Sequence, residues 1–123
     1  MSTVVISVVD DDHSVRESLA RLIRSVGFGV QIFGSAEEFL GAGRGSRSDC
    51  LILDIRMPGM NGLELQHELS ASDRDLPVIF ITAHGSDEEV RARALAAGAV
   101  DYLLKPLREE EVLKAIDVAL NSK

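Results

Sequence analysis

The sequence predicts an α/β fold, a doubly wound five-stranded parallel sheet with five helices packed on its two faces. Three observations support this fold class. Strand-like and helix-like segments alternate five times along the 123 residues. Two of the strand segments are apolar throughout, which is typical of strands buried on both faces of a parallel sheet. No linker or shift in composition interrupts the chain, so residues 1–123 are predicted to form one domain.

The first half of the chain begins with the strand Val4–Val9, which is β-branched almost throughout. An acidic run follows, and its last member, Asp12, is predicted to cap the next helix rather than to bind a metal. That helix carries one apolar stripe and ends at Gly27. Side-chain polarity alternates along Gly29–Phe33, which predicts a more exposed strand. Ser35 then begins a short helix with a capping box.

The second half repeats the alternation. Leu51–Asp54 predicts a buried strand that ends in a carboxylate, and turn dipeptides lead from it into a helix. Pro77–Ile81 predicts the fourth strand. A capping box at Ser86–Glu89 opens a helix that runs to about Ala97. Val100–Leu104 predicts the fifth strand, and an amphipathic helix closes the sequence.

The composition narrows the function before any motif is considered. The net charge of −7 disfavours direct binding of nucleic acid, because phosphate backbones are bound by clusters of Lys and Arg. No apolar stretch is long enough to span a membrane, and Val4–Val9 lacks the basic leader of a signal peptide. The single cysteine, Cys50, suits a reducing compartment. The sequence therefore predicts a cytoplasmic protein that contacts neither nucleic acid nor membrane directly.

Charged and hydroxyl side chains stand where four of the predicted strands end. In the strand order 2-1-3-4-5, the first and third strands are neighbours about 4.8 Å apart. Their carboxyl ends would bring three carboxylates together, with a hydroxyl and an ammonium beside them. The residues concerned are Asp10, Asp11, Asp54, Thr82 and Lys105.

Such a cluster requires additional positive charge. Two like charges about 4 Å apart repel by about 4 kcal/mol at an effective dielectric constant of about 20. Because Lys105 alone cannot neutralise three acids, the cluster predicts a divalent cation. Oxygen ligands favour Mg²⁺, and Ca²⁺ is a weaker alternative because no loop has the spacing of a calcium-binding hand. Once its charge is balanced, a carboxylate can attack phosphorus, which predicts phosphoryl transfer to Asp54.

Four motifs resemble those of the receiver domain of two-component response regulators. In chain order they are Val9–Asp11, Leu53–Gly62, Ile81–Ala83 and Gly98–Pro106. The resemblance covers the whole chain and implies the flavodoxin-like receiver fold. Ile81–Gly85 and Asp101–Tyr102 are closest to the FixJ-type subgroup, whose output is usually a C-terminal helix-turn-helix.

The resemblance implies a role for each residue of the cluster. Asp54 would be the phosphoacceptor. Asp11 and Asp54 would bind Mg²⁺ directly together with the backbone carbonyl of Arg56, and Asp10 would act through water. Lys105 would bridge to the phosphoryl group. The phosphodonor would be a phosphohistidine on a separate sensor histidine kinase.

The resemblance also implies a switch. The hydroxyl of Thr82 would move toward the phosphoryl group while the ring of Tyr102 turns inward. The face formed by helix 4, strand 5 and helix 5 would then control a phosphorylation-dependent homodimer or an effector, through a DNA-binding domain absent from this chain. The side chains of Arg56 and His84 would modulate the lifetime of the phosphate, with plain solvated side chains as the alternative.

Three other functions share part of this pattern of residues. A stand-alone receiver has the same chemistry and differs only in its output. A phosphatase of the haloacid-dehalogenase type needs a second aspartate two residues after the nucleophile, where this chain has Arg56. A flavin carrier needs a first loop that binds phosphate, but here that loop is acidic. The prediction is therefore a phosphoacceptor that promotes its own phosphorylation and dephosphorylation, not an enzyme with an external substrate.

Overall fold

The computed structural model describes residues 3–42, 47–71, 76–83 and 88–121. Five strands and five helices alternate along these residues, as predicted. The strands are β1 Val5–Val9, β2 Gly29–Phe33, β3 Cys50–Asp54, β4 Val78–Thr82 and β5 Asp101–Leu104. The helices are α1 His13–Ser25, α2 Ala36–Gly41, α3 Gly62–Ala71, α4 Glu88–Ala96 and α5 Glu109–Asn121.

The strands form one parallel sheet in the order β2-β1-β3-β4-β5, which confirms the predicted topology. β1 and β3 are neighbours, and Val9 pairs with Leu53 near their carboxyl ends. The residues that follow these two positions are Asp10 and Asp54. The sheet therefore brings the two carboxylates to adjacent places on one edge, where ligands bind in folds of this class.

The core lies on both faces of the sheet. Ile52 of β3 packs in the cluster that also includes buried residues of α1 and α5. Its neighbours Leu51 and Leu53 pack in the cluster on the opposite face, with residues of α2, α3 and α4. Every residue of β3 and of β4 is buried, which explains why both strands read as unbroken apolar runs.

Most differences from the predicted bounds occur at element ends. β4 begins at Val78 rather than Pro77, because proline has no N–H to pair, although its carbonyl accepts from Leu51 N at 2.9 Å. The Ser35 hydroxyl accepts from Glu38 N at 3.0 Å as the capping box requires, but the Glu38 carboxylate accepts from Gly34 N. The second predicted capping box lies partly outside the described residues, since Ser86 and Asp87 are not among them.

The predicted capping of α1 by Asp12 can be tested by substitution. Asp12 is the N-cap, and its carboxylate accepts hydrogen bonds from Ser14 N at 2.8 Å and Val15 N at 3.4 Å. We expect Asp12→Ala to lower the free energy of unfolding by about 1 kcal/mol, because both amides lose their acceptor. Asp12→Asn removes the same charge but keeps an acceptor, so it should retain most of the stability. Equal losses in the two variants by urea denaturation would contradict the capping role.

Candidate functional site

The carboxyl ends of β1 and β3 bring the three predicted aspartates together. Asp10 is fully buried and Asp54 is 4% exposed, whereas Asp11 faces solvent. One carboxylate oxygen of each residue lies within 4.8 Å of the other two. The acidic cluster expected from the strand order therefore exists, and most of it is shielded from water.

Lys105 supplies the positive charge beside this cluster. Its Nζ lies 2.9 Å from Asp10 Oδ2 and 3.7 Å from Asp54 Oδ2. Apart from this ion pair, Asp10 Oδ2 receives no hydrogen bond from the residues that the structure describes. Burial alone would lower the pKa of Lys105, but the hydrogen bond to Asp10 and the nearby carboxylate charges outweigh it and raise the pKa. The ammonium is therefore charged at neutral pH.

The charge balance at Asp54 is unfavourable to its ionised form. Burial and the adjacent Asp10 charge raise the pKa of Asp54 to about 7, although Lys105 and the Arg56 backbone N–H favour the carboxylate. The Lys105 ammonium is thus insufficient to keep Asp54 fully ionised at neutral pH. The sequence also predicts this excess of negative charge, because Lys105 alone cannot neutralise the neighbouring acids.

The donor set fits a divalent cation. All three candidate side chains offer carboxylate oxygens, the ligands preferred by hard cations such as Mg²⁺. Burial and the Asp10 charge together raise the pKa of Asp54, and an added cation would offset the second of these causes. A pocket of about 400 Å³ opens at the cluster and is lined by Asp11, Asp12, Asp54, Arg56, Ala83 and Lys105.

Thr82 lies on β4, which is next to β3, and Tyr102 lies on β5, the strand beyond it. Thr82 ends β4 and is 1% exposed, while Tyr102 in β5 is 7% exposed. Phe80 pairs with Tyr102, and Thr82 lies two residues beyond Phe80 on the same strand. Because side chains alternate along a strand, Thr82 points to the sheet face that carries Phe80 and Tyr102. The two residues of the predicted switch therefore share one face; their role as a switch stays a prediction.

Arg56 and His84 are the two residues predicted to modulate the lifetime of the phosphate. Arg56 follows Asp54 by two residues, and its side chain is exposed at the mouth of the 400 Å³ pocket. His84 lies outside the described residues, so its role stays a prediction. A larger cleft of about 570 Å³ lies between the β3–α3 loop and α4, but its lining contains no carboxylate.

Two features that support the site were missed by the sequence analysis. Arg16 of α1 donates from its guanidinium to the backbone carbonyl of Asp10 at 2.7 Å and so fixes the acidic turn after β1. A Cβ added at Gly62 would lie 2.5 Å from the Asp54 carbonyl oxygen, so α3 packs directly against the end of β3. The pattern of apolar residues gives no sign of the Arg16 contact. Gly62 belongs to the turn dipeptide Asn61-Gly62 and to the Leu53–Gly62 motif, but neither predicts its close packing against Asp54.

Comparison with known proteins decides the family. A family model described as the response regulator receiver domain matches residues 6–117. The chain belongs to this family. The receiver domain is 48% identical over 116 residues to the response regulator protein TodT of Pseudomonas putida, covering 94% of this chain and 51% of TodT. It is 39% identical over 115 residues to the transcriptional regulatory protein FixJ of Bradyrhizobium diazoefficiens, covering 94% of this chain and 56% of FixJ.

Solved structures agree with the sequence relationship. The crystal structure of FixJ-N matches the receiver domain with a TM-score of 0.89 at 37% identity, covering all of this chain (100%) and 98% of that one. The response regulator StyR matches with a TM-score of 0.88 at 48% identity, covering 97% of this chain and 60% of StyR. The receiver domain thus spans about half the length of the curated relatives it matches. Among its described residues, no helix combines the length and apolarity needed to cross a membrane.

Proposed function

We propose that this receiver domain accepts a phosphoryl group on Asp54 from the phosphohistidine of a sensor histidine kinase. The observation that carries the proposal is the buried pair Asp10 and Asp54 with Lys105 between them and Asp11 at the rim. An Asp54 carboxylate oxygen attacks phosphorus as the P–N bond to the donor imidazole breaks, and the imidazole leaves with the bonding electron pair. The products are an acyl phosphate on Asp54 and a free histidine on the kinase.

The proposed metal is Mg²⁺, with Asp11, Asp54 and the Arg56 backbone carbonyl as direct ligands and Asp10 acting through water. When bound, the ion would neutralise charge on the transferring phosphoryl group. Lys105 holds a second positive charge 3.7 Å from Asp54 Oδ2, beside the place where the phosphoryl group would be attached. Release of the phosphoryl group to water would restore Asp54, so the domain acts on itself and on no external substrate.

The proposed output is a change on the face formed by α4, β5 and α5. Thr82 would donate its hydroxyl to the new phosphoryl oxygens, and Tyr102 would adjust within the apolar face that the two residues share. That face would control a homodimer or an effector in the cytoplasm. FixJ is described as a transcriptional regulatory protein, which favours an effector domain that binds DNA.

The chemistry can be tested by intact-mass spectrometry with acetyl phosphate as the donor. In the presence of Mg²⁺, we expect the protein to gain one phosphoryl group, and we expect removal of Mg²⁺ by chelation to prevent it. Asp54→Asn should show no gain, whereas Asp117→Asn, a matched change on the exposed face of α5, should behave as wild type. An absent adduct in the wild type, or an equal adduct on Asp54→Asn, would overturn the proposal. Continuous hydrolysis of a phosphomonoester would instead indicate a phosphatase.

A further inference from the structure

The β3–α3 loop, residues 55–61, carries the backbone of Arg56 past the site and is fixed at both ends. At its start, Ile55 N donates to Ile81 O at 3.1 Å. Gly62 N donates back to Ile55 O at 2.9 Å, which closes the loop upon itself. At its end, Asn61 and Glu64 cap α3 reciprocally, each backbone N–H donating to the other's side-chain oxygen at 2.9 Å.

A further contact that holds the β3–α3 loop comes from α2, which is distant in sequence. Glu37 of α2 accepts a hydrogen bond from Met60 N through Oε2 at 2.9 Å, across 23 residues of sequence. A Cβ added at Gly59 would lie 2.6 Å from the same oxygen, so the carboxylate sits directly against the loop backbone. The hydrogen bond from Met60 is the largest cause of the lowered pKa of Glu37, and the carboxylate is therefore ionised at neutral pH. An exposed glutamate would otherwise be free to rotate.

The loop that Glu37 holds also serves the reaction site. Burial and the Asp10 charge raise the pKa of Asp54, and the hydrogen bond from the Arg56 backbone N–H opposes them by favouring the carboxylate. The carbonyl of Arg56 is the proposed third direct ligand of Mg²⁺. Both groups belong to the backbone, so their positions depend on the conformation of the loop and not on any rotamer. A contact that fixes the loop therefore acts on the metal site without touching it.

We propose that Glu37 is a positioning residue that holds the β3–α3 loop so that the Arg56 backbone can serve Asp54 and the metal. This inference rests on the function proposed above. Helix α2 contributes no side chain to the acidic cluster. Through Glu37, however, it would help to set the affinity of the site for Mg²⁺. The device is a single hydrogen bond, donated by the Met60 backbone N–H to a Glu37 carboxylate oxygen.

Three variants separate this role from a general effect on stability or charge. Glu37→Ala removes the acceptor, whereas Glu37→Gln keeps an oxygen at nearly the same place. Glu38→Ala removes the same charge from the neighbouring position, where the carboxylate accepts from Gly34 N instead of from the loop amide of Met60. Measurements are the Mg²⁺ affinity by titration, the rate of phosphorylation by acetyl phosphate against Mg²⁺ concentration, and the hydrogen exchange of the Met60 and Arg56 amides.

We expect Glu37→Ala to weaken Mg²⁺ binding by about 3- to 10-fold, at or below the low end for residues that act through a ligand. Half-saturating Mg²⁺ for phosphorylation should rise by the same factor, while the rate at saturating Mg²⁺ stays within about twofold, because excess metal restores occupancy. The Met60 amide should exchange faster. Glu37→Gln should remain near the wild type in affinity, and Glu38→Ala should leave both affinity and half-saturation unchanged.

The outcomes distinguish this inference from the proposed function. If the wild type binds Mg²⁺ and is phosphorylated, but Glu37→Ala matches Glu38→Ala, the positioning role is wrong and the proposed function stands. If Glu37→Gln is as impaired as Glu37→Ala, charge rather than the hydrogen bond is responsible, and the inference fails. A wild type that neither binds Mg²⁺ nor accepts a phosphoryl group overturns both.

Discussion

Gly62→Ala is expected to lower the free energy of unfolding by about 3 kcal/mol, because the new methyl group has no space. Its Cβ would lie 2.5 Å from the Asp54 carbonyl oxygen and 3.0 Å from the Ile55 Cα. Both atoms belong to the backbone of the sheet and the loop that follows it, so neither can rotate away. Relief would require α3 to move from the sheet or the end of β3 to shift.

Gly41→Ala is the matched control, since Gly41 also lies in a helix but has nothing within 4 Å of an added Cβ. That variant should be neutral or more stable by up to about 1 kcal/mol, as alanine favours helix. Urea denaturation followed by circular dichroism measures both changes. A Gly62→Ala protein as stable as Gly41→Ala would show that the contact between α3 and Asp54 is loose. The clash would also displace Asp54, so weaker Mg²⁺ binding should accompany the loss of stability.

The fold was predictable from the sequence because its signals are local and repeated. The apolar runs of β3 and β4 exist because both strands are buried on both faces, and burial leaves a direct trace in composition. The acidic cluster was predictable from topology, because strand order alone places Asp10 beside Asp54. Asp12 was correctly assigned as a cap because its partners are two and three residues away.

The supporting contacts were not predictable because they join distant side chains to backbone atoms. Arg16 reaches the carbonyl of Asp10, and Glu37 reaches the amide of Met60. Backbone groups are the same at every position, so a sequence gives no sign of which one a side chain will meet. The same limit applies to Tyr102. Its motif predicts a role for the residue, but only the structure shows that its side chain is 7% exposed and lies on the same sheet face as Thr82.

Asp54→Asn is expected to stabilise the metal-free domain above neutral pH by up to about 4 kcal/mol, the free energy that corresponds to the raised pKa of Asp54. The pKa of Asp54 is raised from 3.8 to about 7 in the folded protein, by burial first and then by the charge of Asp10. Between these two values the folded state binds more protons at this residue than the unfolded state. Stability from this group therefore falls as pH rises through that window and stays low above it.

The measurable quantity is the difference in unfolding free energy between Asp54→Asn and the wild type at several pH values from 5 to 8, with chelator present. We expect this difference to grow in favour of the variant as the pH rises toward about 7 and then to level off. Asp117→Asn removes the same charge at an exposed position and should show no such trend. The pKa of Lys105 is also raised, but that group titrates above this window.

Added Mg²⁺ should reverse the order of stability at pH 8. A cation that binds the folded wild type stabilises it by mass action, while the variant has lost one carboxylate ligand and gains much less. Ionised Asp54 destabilises the metal-free fold through its burial and through its repulsion with Asp10, and a bound cation would offset that repulsion. A wild type whose stability relative to Asp54→Asn is independent of pH and of Mg²⁺ would contradict this account. It would mean that Lys105 alone balances the two buried carboxylates, and the electrostatic reason for a metal at this site would be lost.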